Sequence, residues 1–157
     1  MARLVYEGRT NVYWATTVAS KTAPTVAEIT AATPLTNFIT KDGVAVNQTT
    51  NTVDSATIAE TFDSKLVGSW DAELELTMFR DDSADTAWNL CVLGTNGYVI
   101  VDQFRVSGVL PSAGNKVMVF PAQMHQPGPE NSATNTQNRF VEKFAVTSAP
   151  VYSATVA

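Results

Sequence analysis

The side chains able to do chemistry are few and lie far apart along the chain. His125 is the single histidine and is followed by Pro127 and Gly128, with no carboxylate or thiol pattern beside it. This context favours a solvent-facing loop histidine over a general base or a metal ligand. Cys91 is the single cysteine. It falls on the apolar face of a predicted helix, which indicates a buried, inert thiol and excludes an intramolecular disulfide.

Acidic side chains occur in two arrangements that could suggest a site. Asp81, Asp82 and Asp85 could hold a divalent cation, but capping and the helix dipole explain acids at a helix start more simply. Glu73 and Glu75 share a strand face, where like charges at this spacing indicate a solvated surface rather than a glycosidase pair. No phosphate loop, dinucleotide fingerprint or nucleophile elbow occurs. We therefore expect no catalytic residue, no metal and no cofactor.

The composition is that of a single β-rich domain spanning residues 1–157. A chain of 157 residues can bury a two-layer core, and a hydrophobic fraction of 45% argues against disorder. Thr occurs 21 times and Val 19 times, and both β-branched residues suit a pleated surface better than a helix. Only 16% of the residues are charged, which indicates that partners cover part of the surface.

Net charge and the N-terminal sequence argue against a nucleic-acid-binding protein, a secreted protein and a membrane protein. A net charge of −5 argues against binding to the phosphates of a nucleic acid. The first residues lack the apolar region of a signal peptide, and no apolar run approaches membrane-spanning length. We expect a protein that is made in a cytoplasm and is not inserted into a membrane.

Strand patterns recur along the chain. Residues 71–80 alternate most cleanly, with apolar side chains facing one way and acids the other. The pairs Asp42-Gly43 and Asn96-Gly97 predict turns, and Pro121 predicts a strand that is bulged or at an edge. The other predicted strands are 12–18, 35–41, 98–106, 116–124 and 139–147.

Helices and loops separate these strands. Thr25 and Glu28 form a capping-box pattern that predicts a short helix over about residues 25–31. Asp81 opens a second predicted helix of about ten residues, with Gly94 as its stop. The Asn- and Thr-rich stretch 44–57 has few apolar anchors and predicts a long exposed loop.

Charge is distributed unevenly. Residues 54–85 hold nine of the fifteen acids but only two basic residues, Lys65 and Arg80. The stretch is either a solvated outer face or a surface whose charge has a function.

Several segments together resemble the major tail protein, the tail tube subunit, of long-tailed siphophages that infect actinobacteria. An arginine and two aspartates lead into a helix with Ala-Trp, and a Gly-x-x-Gly turn follows. The resemblance covers roughly residues 23–157. It rests on residues 23–29 (APTVAEI), 38–43 (FITKDG), 60–68 (ETFDSKLVG), 76–82 (LTMFRDD), 87–88 (AW), 94–98 (GTNGY), 144–147 (FAVT) and 154–157 (ATVA).

This resemblance implies a mainly-β tail-tube fold, a β-sandwich or partly closed barrel with a flanking α-helix and long loops. It implies that copies form hexameric rings that stack into a hollow tube in the virion tail. The implied partners are the tape-measure protein, the tail terminator, the distal tail protein and, in transit, DNA. An N-terminal arm (about 1–11) and a C-terminal arm (about 148–157) are expected. The expected inter-ring stacking loop comprises Val46, Asn47, Gln48, Thr49, Thr50, Asn51 and Thr52.

In such a tube the acidic stretch is expected to line the channel, with Glu73 and Glu75 as the leading candidates. An acidic wall would repel phosphates and keep DNA sliding, whereas a basic wall would bind it. The competing interpretation places both residues on the outer surface. A tail terminator and a β-sandwich binding module remain alternatives, although Trp14, Trp70 and Trp88 are scattered rather than clustered as a binding face requires.

Overall fold

The computed structural model describes residues 3–131 and 133–157 and is mainly β. The predicted fold class is confirmed. Within the described residues the elements follow this order: β1 (Asn11–Ala15), α1 (Val26–Ala31), β2 (Thr33–Pro34), β3 (Ile39–Asp54), β4 (Lys65–Phe79), α2 (Thr86–Leu90), β5 (Asn96–Asp102), β6 (Lys116–Met124), β7 (Gly128–Pro129), β8 (Arg139–Val146) and β9 (Val151–Thr155).

All strands belong to one antiparallel sheet with the order β2-β1-β5-β6-β8-β4-β3. The sheet is not closed into a barrel. Two further strands lie off this path, β9 beside β6 and β7 beside β8. The strand β3 is therefore an edge of the sheet, and its hairpin with β4 is the longest pairing in the molecule.

The sheet curls around a first core cluster. The rings of Trp14 on β1 and Phe144 on β8 lie 5.9 Å apart, although β5 and β6 separate their strands. Three strand spacings of a flat sheet would hold these strands roughly 14 Å apart. Both halves of the sheet thus supply one core, which includes Leu76 of β4 and Phe120 of β6.

A second core cluster covers the opposite face of β1, β5 and β6. Ile29 of α1 and Ala154 of β9 pack there against Ile100 and Val119. These central strands are buried on both faces, which explains why their sequences read as nearly continuous apolar runs.

The predicted first helix is confirmed together with its capping box. The amide of Glu28 donates to the Thr25 hydroxyl at 3.2 Å, and the Glu28 carboxylate accepts from the Thr25 amide at 2.7 Å. The amides of Thr25 and Ala19 hold the pKa of Glu28 below its ordinary value. Local chemistry alone determines where this helix begins.

The predicted second helix is wrong in its start and length. The helix α2 has five residues and begins at Thr86, because Asp85 adopts a left-handed conformation with φ 45°. The carboxylate of Asp85 makes no cap hydrogen bond and instead pairs with Arg80. The preceding acids form a turn rather than a helix, since Ser83 donates to Asp81.

Both predicted Xaa-Gly turns are wrong. Gly43 lies inside β3 beside a bulge, and a Cβ there would come within 2.4 Å of the Thr77 carbonyl oxygen. Gly97 lies inside β5 against Trp14. Glycine is required at both positions for close approach. The turn before β5 lies instead at Gly94, which has φ 84°.

The interpretation of Pro121 as an edge or bulged residue is also wrong. The strand β6 is central and pairs with β5 from Met118 to Gln123, with no register shift at Pro121. On its other side β6 pairs with β9 up to Val119 and with β8 from Ala122. Pro121 occupies the gap between these partners, where no ladder hydrogen bond needs its missing amide proton.

The expected loose C-terminal arm is folded onto its own subunit. Residues 151–155 form β9, and Ala154 and Val156 are buried. The amide of Ala157 donates to the Pro24 carbonyl at 2.9 Å. Residues 151–157 therefore pack on their own subunit in this structure, and an arm at 148–157 stays a prediction.

The predicted loop 44–57 is wrong as secondary structure, because residues 44–54 belong to β3. The predicted exposure is correct from Asn47 onward. The neighbouring predicted strand 35–41 begins only at Ile39, after a turn at residues 36–38. The prediction failed because neither face of the outer β3 segment is buried, so no apolar alternation marks it.

Candidate assembly surfaces

The hairpin of β3 and β4 projects beyond the rest of the sheet. The strand β8 pairs with β4 only over residues 73–79, whereas β3 accompanies β4 down to Lys65. The outer part, residues 48–54 and 65–72, is a ribbon of two strands that extends roughly 25 Å. Because a two-stranded ribbon is marginally stable alone in water, this part is suited to contact another surface.

The apex of this hairpin is the true loop, residues 55–64. The amide of Ser55 donates to the Ser64 carbonyl at 3.0 Å, and the two hydroxyl groups lie 3.1 Å apart. Beyond this closure the amide of Glu60 donates to the Thr57 carbonyl at 3.0 Å. The apex is a closed turn at the end of a continuous ladder.

Large apolar side chains are exposed at and near this apex. Ile58 is fully exposed, and Phe62 and Val67 are 78% and 79% exposed. Clustered apolar side chains in solvent mark interaction sites. We call residues 53–67 the hairpin tip; its exposed apolar side chains are Val53, Ile58, Phe62, Leu66 and Val67.

The predicted stacking residues 46–52 divide between the core and the ribbon. Val46 faces Leu74 in the ladder and packs against the core. From Asn47 onward the side chains are exposed. Their ladder partners are Glu73 for Asn47, Ala72 for Gln48, Asp71 for Thr49, Trp70 for Thr50 and Val67 for Thr52, while the Asn51 side chain donates to Ser69 at 3.2 Å.

The candidate channel acids lie on the outward face of β4. Ala72, Leu74, Leu76 and Met78 are buried, so the intervening residues point away from the core. Glu73 is exposed and lies between Asn47 on β3 and Ala145 on β8.

A neighbouring cation distinguishes the two glutamates. Glu75 is half-buried, and its carboxylate lies 3.8 Å from the ammonium of Lys143. Among the described residues no cation pairs with Glu73. Of the two acids, Glu73 therefore keeps more of its charge available to solvent.

The three aspartates before α2 do not converge. Asp85 binds the guanidinium of Arg80, which also stacks 4.1 Å above the Trp88 ring. Hydrogen bonds from Ser83 hold the pKa of Asp81 below its ordinary value. Across residues 3–131 and 133–157, no three His, Cys, Asp or Glu side chains are arranged to hold a metal ion.

Cys91 is buried, as predicted, and next to it lies a buried acid that the sequence analysis missed. Burial raises the pKa of the Cys91 thiol to about 12.

Glu142 is fully buried, and neither of its carboxyl oxygens has a hydrogen-bond partner in the described part of the chain. The sequence did contain a signal for this burial, because Glu142 lies two residues from both Phe140 and Phe144 in an alternating strand and so shares their buried face. His125, in contrast, is exposed.

A second exposed apolar area, also missed, lies at the opposite end of β3. We call residues 3–10 and 103–110 the end surface. Ser107 donates to the Gly8 carbonyl at 2.9 Å, which joins the two segments. They are nearly one hundred residues apart in sequence, so no local pattern could reveal their proximity.

A curled β-sheet with a projecting hairpin and two exposed apolar areas defines a domain built to contact other protein surfaces. A family model described as phage tail tube protein matches residues 1–157, and the chain belongs to that family. The chain is thus a structural component of a phage tail. No curated protein matches it. Within the described residues, no helix is both long and apolar enough to cross a membrane.

Proposed function

We propose that this chain is the repeating subunit of a siphophage tail tube. Copies assemble into hexameric rings, and the rings stack into a hollow channel that delivers DNA. The observation that carries this proposal is the projecting hairpin with its exposed apolar tip, on a chain that matches the tail tube family over its full length. A free-standing subunit gains nothing from such a ribbon, whereas a stacked subunit buries it.

The outward face of β4 is proposed to line the channel. Asp71, Glu73 and Glu75 alternate there on one strand, and polar Asn47 and Thr49 flank them on β3. The acidic side chains of this face repel DNA phosphates, and the face has few cations that could bind them. It therefore favours sliding of the DNA over binding. Of the two glutamates, Glu73 contributes more, since Lys143 partly neutralises Glu75.

Inter-ring contact is proposed to involve residues 46–52 chiefly as the stem that carries the hairpin tip. Their backbone groups are engaged in the β3–β4 ladder, and the large apolar side chains lie beyond them. The C-terminal segment is folded on its own subunit, so we assign the remaining contacts to the N-terminal segment. The tape-measure protein inside the channel, and the terminator and distal tail proteins at its ends, are the expected partners. Assembly in the host cytoplasm precedes incorporation into the virion.

Immunogold labelling of intact phage particles tests the assignment. Antibodies to this chain should decorate the tail along its whole length, because a tube subunit repeats in every ring. Labelling restricted to the head-proximal end would identify a terminator. Unlabelled tails that become labelled only after the outer surface is stripped would place the chain inside another layer and contradict the proposal.

A further inference from the structure

The end surface is a platform whose second segment, residues 103–110, is held in place by hydrogen bonds. The buried side chain of Asn11 fixes the segment 103–110 through three hydrogen bonds. Its amide nitrogen lies 3.3 Å from the carbonyl oxygens of Arg105 and Val106, and its carbonyl oxygen accepts from the Gly108 amide at 2.8 Å. Arg105 is itself held by the buried Asp102 at 2.6 Å. A prearranged surface loses little entropy when a partner binds.

Apolar side chains are concentrated on this platform. Seven of them are between 41% and 60% exposed, which is high for large apolar residues. They are Leu4, Val5 and Tyr6 on the first segment and Phe104, Val106, Val109 and Leu110 on the second. An exposed apolar group of this size indicates a protein contact.

The charges of the hairpin tip and the end surface are opposite. Glu7 on the end surface is paired with Lys41 at 2.7 Å, while neither Arg3 nor Arg9 forms an ion pair with any described residue. The end surface therefore presents two unneutralised cations.

On the tip, Asp54 and Lys65 face each other across the ladder and balance in charge. Glu60 and Asp63 in the apex form no ion pair with any residue that the structure describes. An apolar, acidic tip thus complements an apolar, basic platform, and this pairing of signs favours one partner orientation over others.

The two surfaces lie at opposite ends of β3. The Lys41–Glu7 ion pair places the end surface beside the start of the strand, and the tip begins near its other end at Val53. The strand between them spans about 40 Å. A subunit cannot reach its own end surface with its own tip, and a contact between unlike surfaces is heterologous and propagates from copy to copy.

We propose that the hairpin tip of one copy docks on the end surface of a second copy, with Glu60 and Asp63 facing Arg3 and Arg9. The proposal rests on the proposed tube function and names the two surfaces that join. It makes the N-terminal segment the receiver of the hairpin rather than an independent arm.

Paired charge reversals test this docking in the full chain. One variant carries Glu60→Lys with Asp63→Lys, a second carries Arg3→Glu with Arg9→Glu, and a third carries all four changes. Light scattering should show elongation about tenfold slower for the first two and recovery in the third, because the opposed charges are restored with inverted sign. Lys21→Glu with Lys116→Glu makes the same charge change outside both surfaces and should elongate like the unaltered chain.

Cross-linking locates the contact directly. Phe62→Cys and Tyr6→Cys copies, separately tagged and mixed, should be joined by a short bis-maleimide, while buried Cys91 does not react. Reversal variants that elongate normally, or four changes without recovery, overturn the docking but leave the tube function standing. An unaltered chain that never assembles, even on a purified tail tip, overturns both.

Discussion

Asn47 and Glu73 face each other in the antiparallel ladder of β3 and β4. A residue expected to contact the next ring and one expected to line the channel are therefore direct neighbours on one hairpin. The two proposed roles fall on different parts of one hairpin, since the acidic face lies at its base and the exposed apolar residues lie at its tip. Variants must change one end of the hairpin without disturbing the other.

Reversing the charge at Glu73 should impair DNA passage and leave assembly intact. The side chain is exposed and carries no ion pair with the described residues, so Glu73→Lys removes no structural contact. A ring of lysines in the channel would bind phosphates, and we expect DNA delivery to fall roughly tenfold or more. Tube yield by microscopy and infectivity of complemented particles are the measurements. Asp82→Lys makes the same charge change off this face and should be neutral; equal infectivity of the two variants would place Glu73 outside the channel.

Shortening the apex should abolish elongation without unfolding the subunit. Ser55 and Ser64 are hydrogen-bonded neighbours, so an Asn-Gly turn can replace residues 56–63 and close the same ladder. The variant should keep the circular dichroism spectrum and melting temperature of the unaltered chain. In sedimentation it should form nothing larger than a single ring, because it lacks Ile58 and Phe62 for the contact between rings. Ala59→Ser, which retains the apex, serves as control. Tubes of normal length from the shortened chain would show that the apex makes no inter-ring contact.

Glu142 should make the subunit less stable as pH rises. Burial is the main reason that its pKa is raised from 4.5 to about 7, and the nearby His125 amide and Cys91 thiol only partly oppose it. The folded state then holds a proton that the unfolded state releases, so stability falls between about pH 4.5 and 7 and stays lower above.

Glu142→Gln removes this titration. At pH 8 the variant should exceed the unaltered chain by up to about 3 kcal/mol in free energy of unfolding, and at pH 4.5 the two should be close. Urea denaturation at both pH values measures the difference. Glu60→Gln at the exposed apex is the matched control. If the two proteins differed in free energy of unfolding by the same amount at both pH values, Glu142 would have the same charge at pH 4.5 and at pH 8, which would contradict the prediction.

Gly97 should tolerate no side chain. A Cβ there would lie 2.5 Å from the Trp14 ring and 2.7 Å from the Ala15 carbonyl oxygen, so Gly97→Ala forces the core to shift at a cost of about 1–3 kcal/mol. At Gly128 the nearest atom would be the Val141 carbonyl oxygen at 3.8 Å, which is ordinary contact. Thermal unfolding should separate Gly97→Ala from Gly128→Ala, and equal melting temperatures would refute the steric account.

The sequence predicts those strands that bury at least one face. Residues 71–79 alternate between core and solvent, and their inward set, Ala72 to Met78, agrees with the structure. The outer half of β3 buries neither face, so it lacks that period and reads as a loop. The remaining signal was its content of β-branched residues such as Thr49, Thr50 and Val53, which are enriched in strands.

The local chemistry of a residue pair predicts structure only when no distant contact overrides it. The capping box of Thr25 and Glu28 is self-contained and was predicted correctly. The glycines of Asp42-Gly43 and Asn96-Gly97 are instead required by Thr77 and Trp14 on neighbouring strands. The acidic face could be predicted from β4 alone, whereas the end surface depends on contacts between segments far apart in sequence.

Electron microscopy of the purified full-length chain, alone and seeded with purified tail tips, tests the central claim most directly. The account predicts hollow tubes whose end-on views and helical reconstruction show six-fold symmetry, with the face of β4 that carries Glu73 towards the channel. Solid filaments, a different rotational symmetry, or particles that remain monomeric at every concentration and on every seed would contradict it.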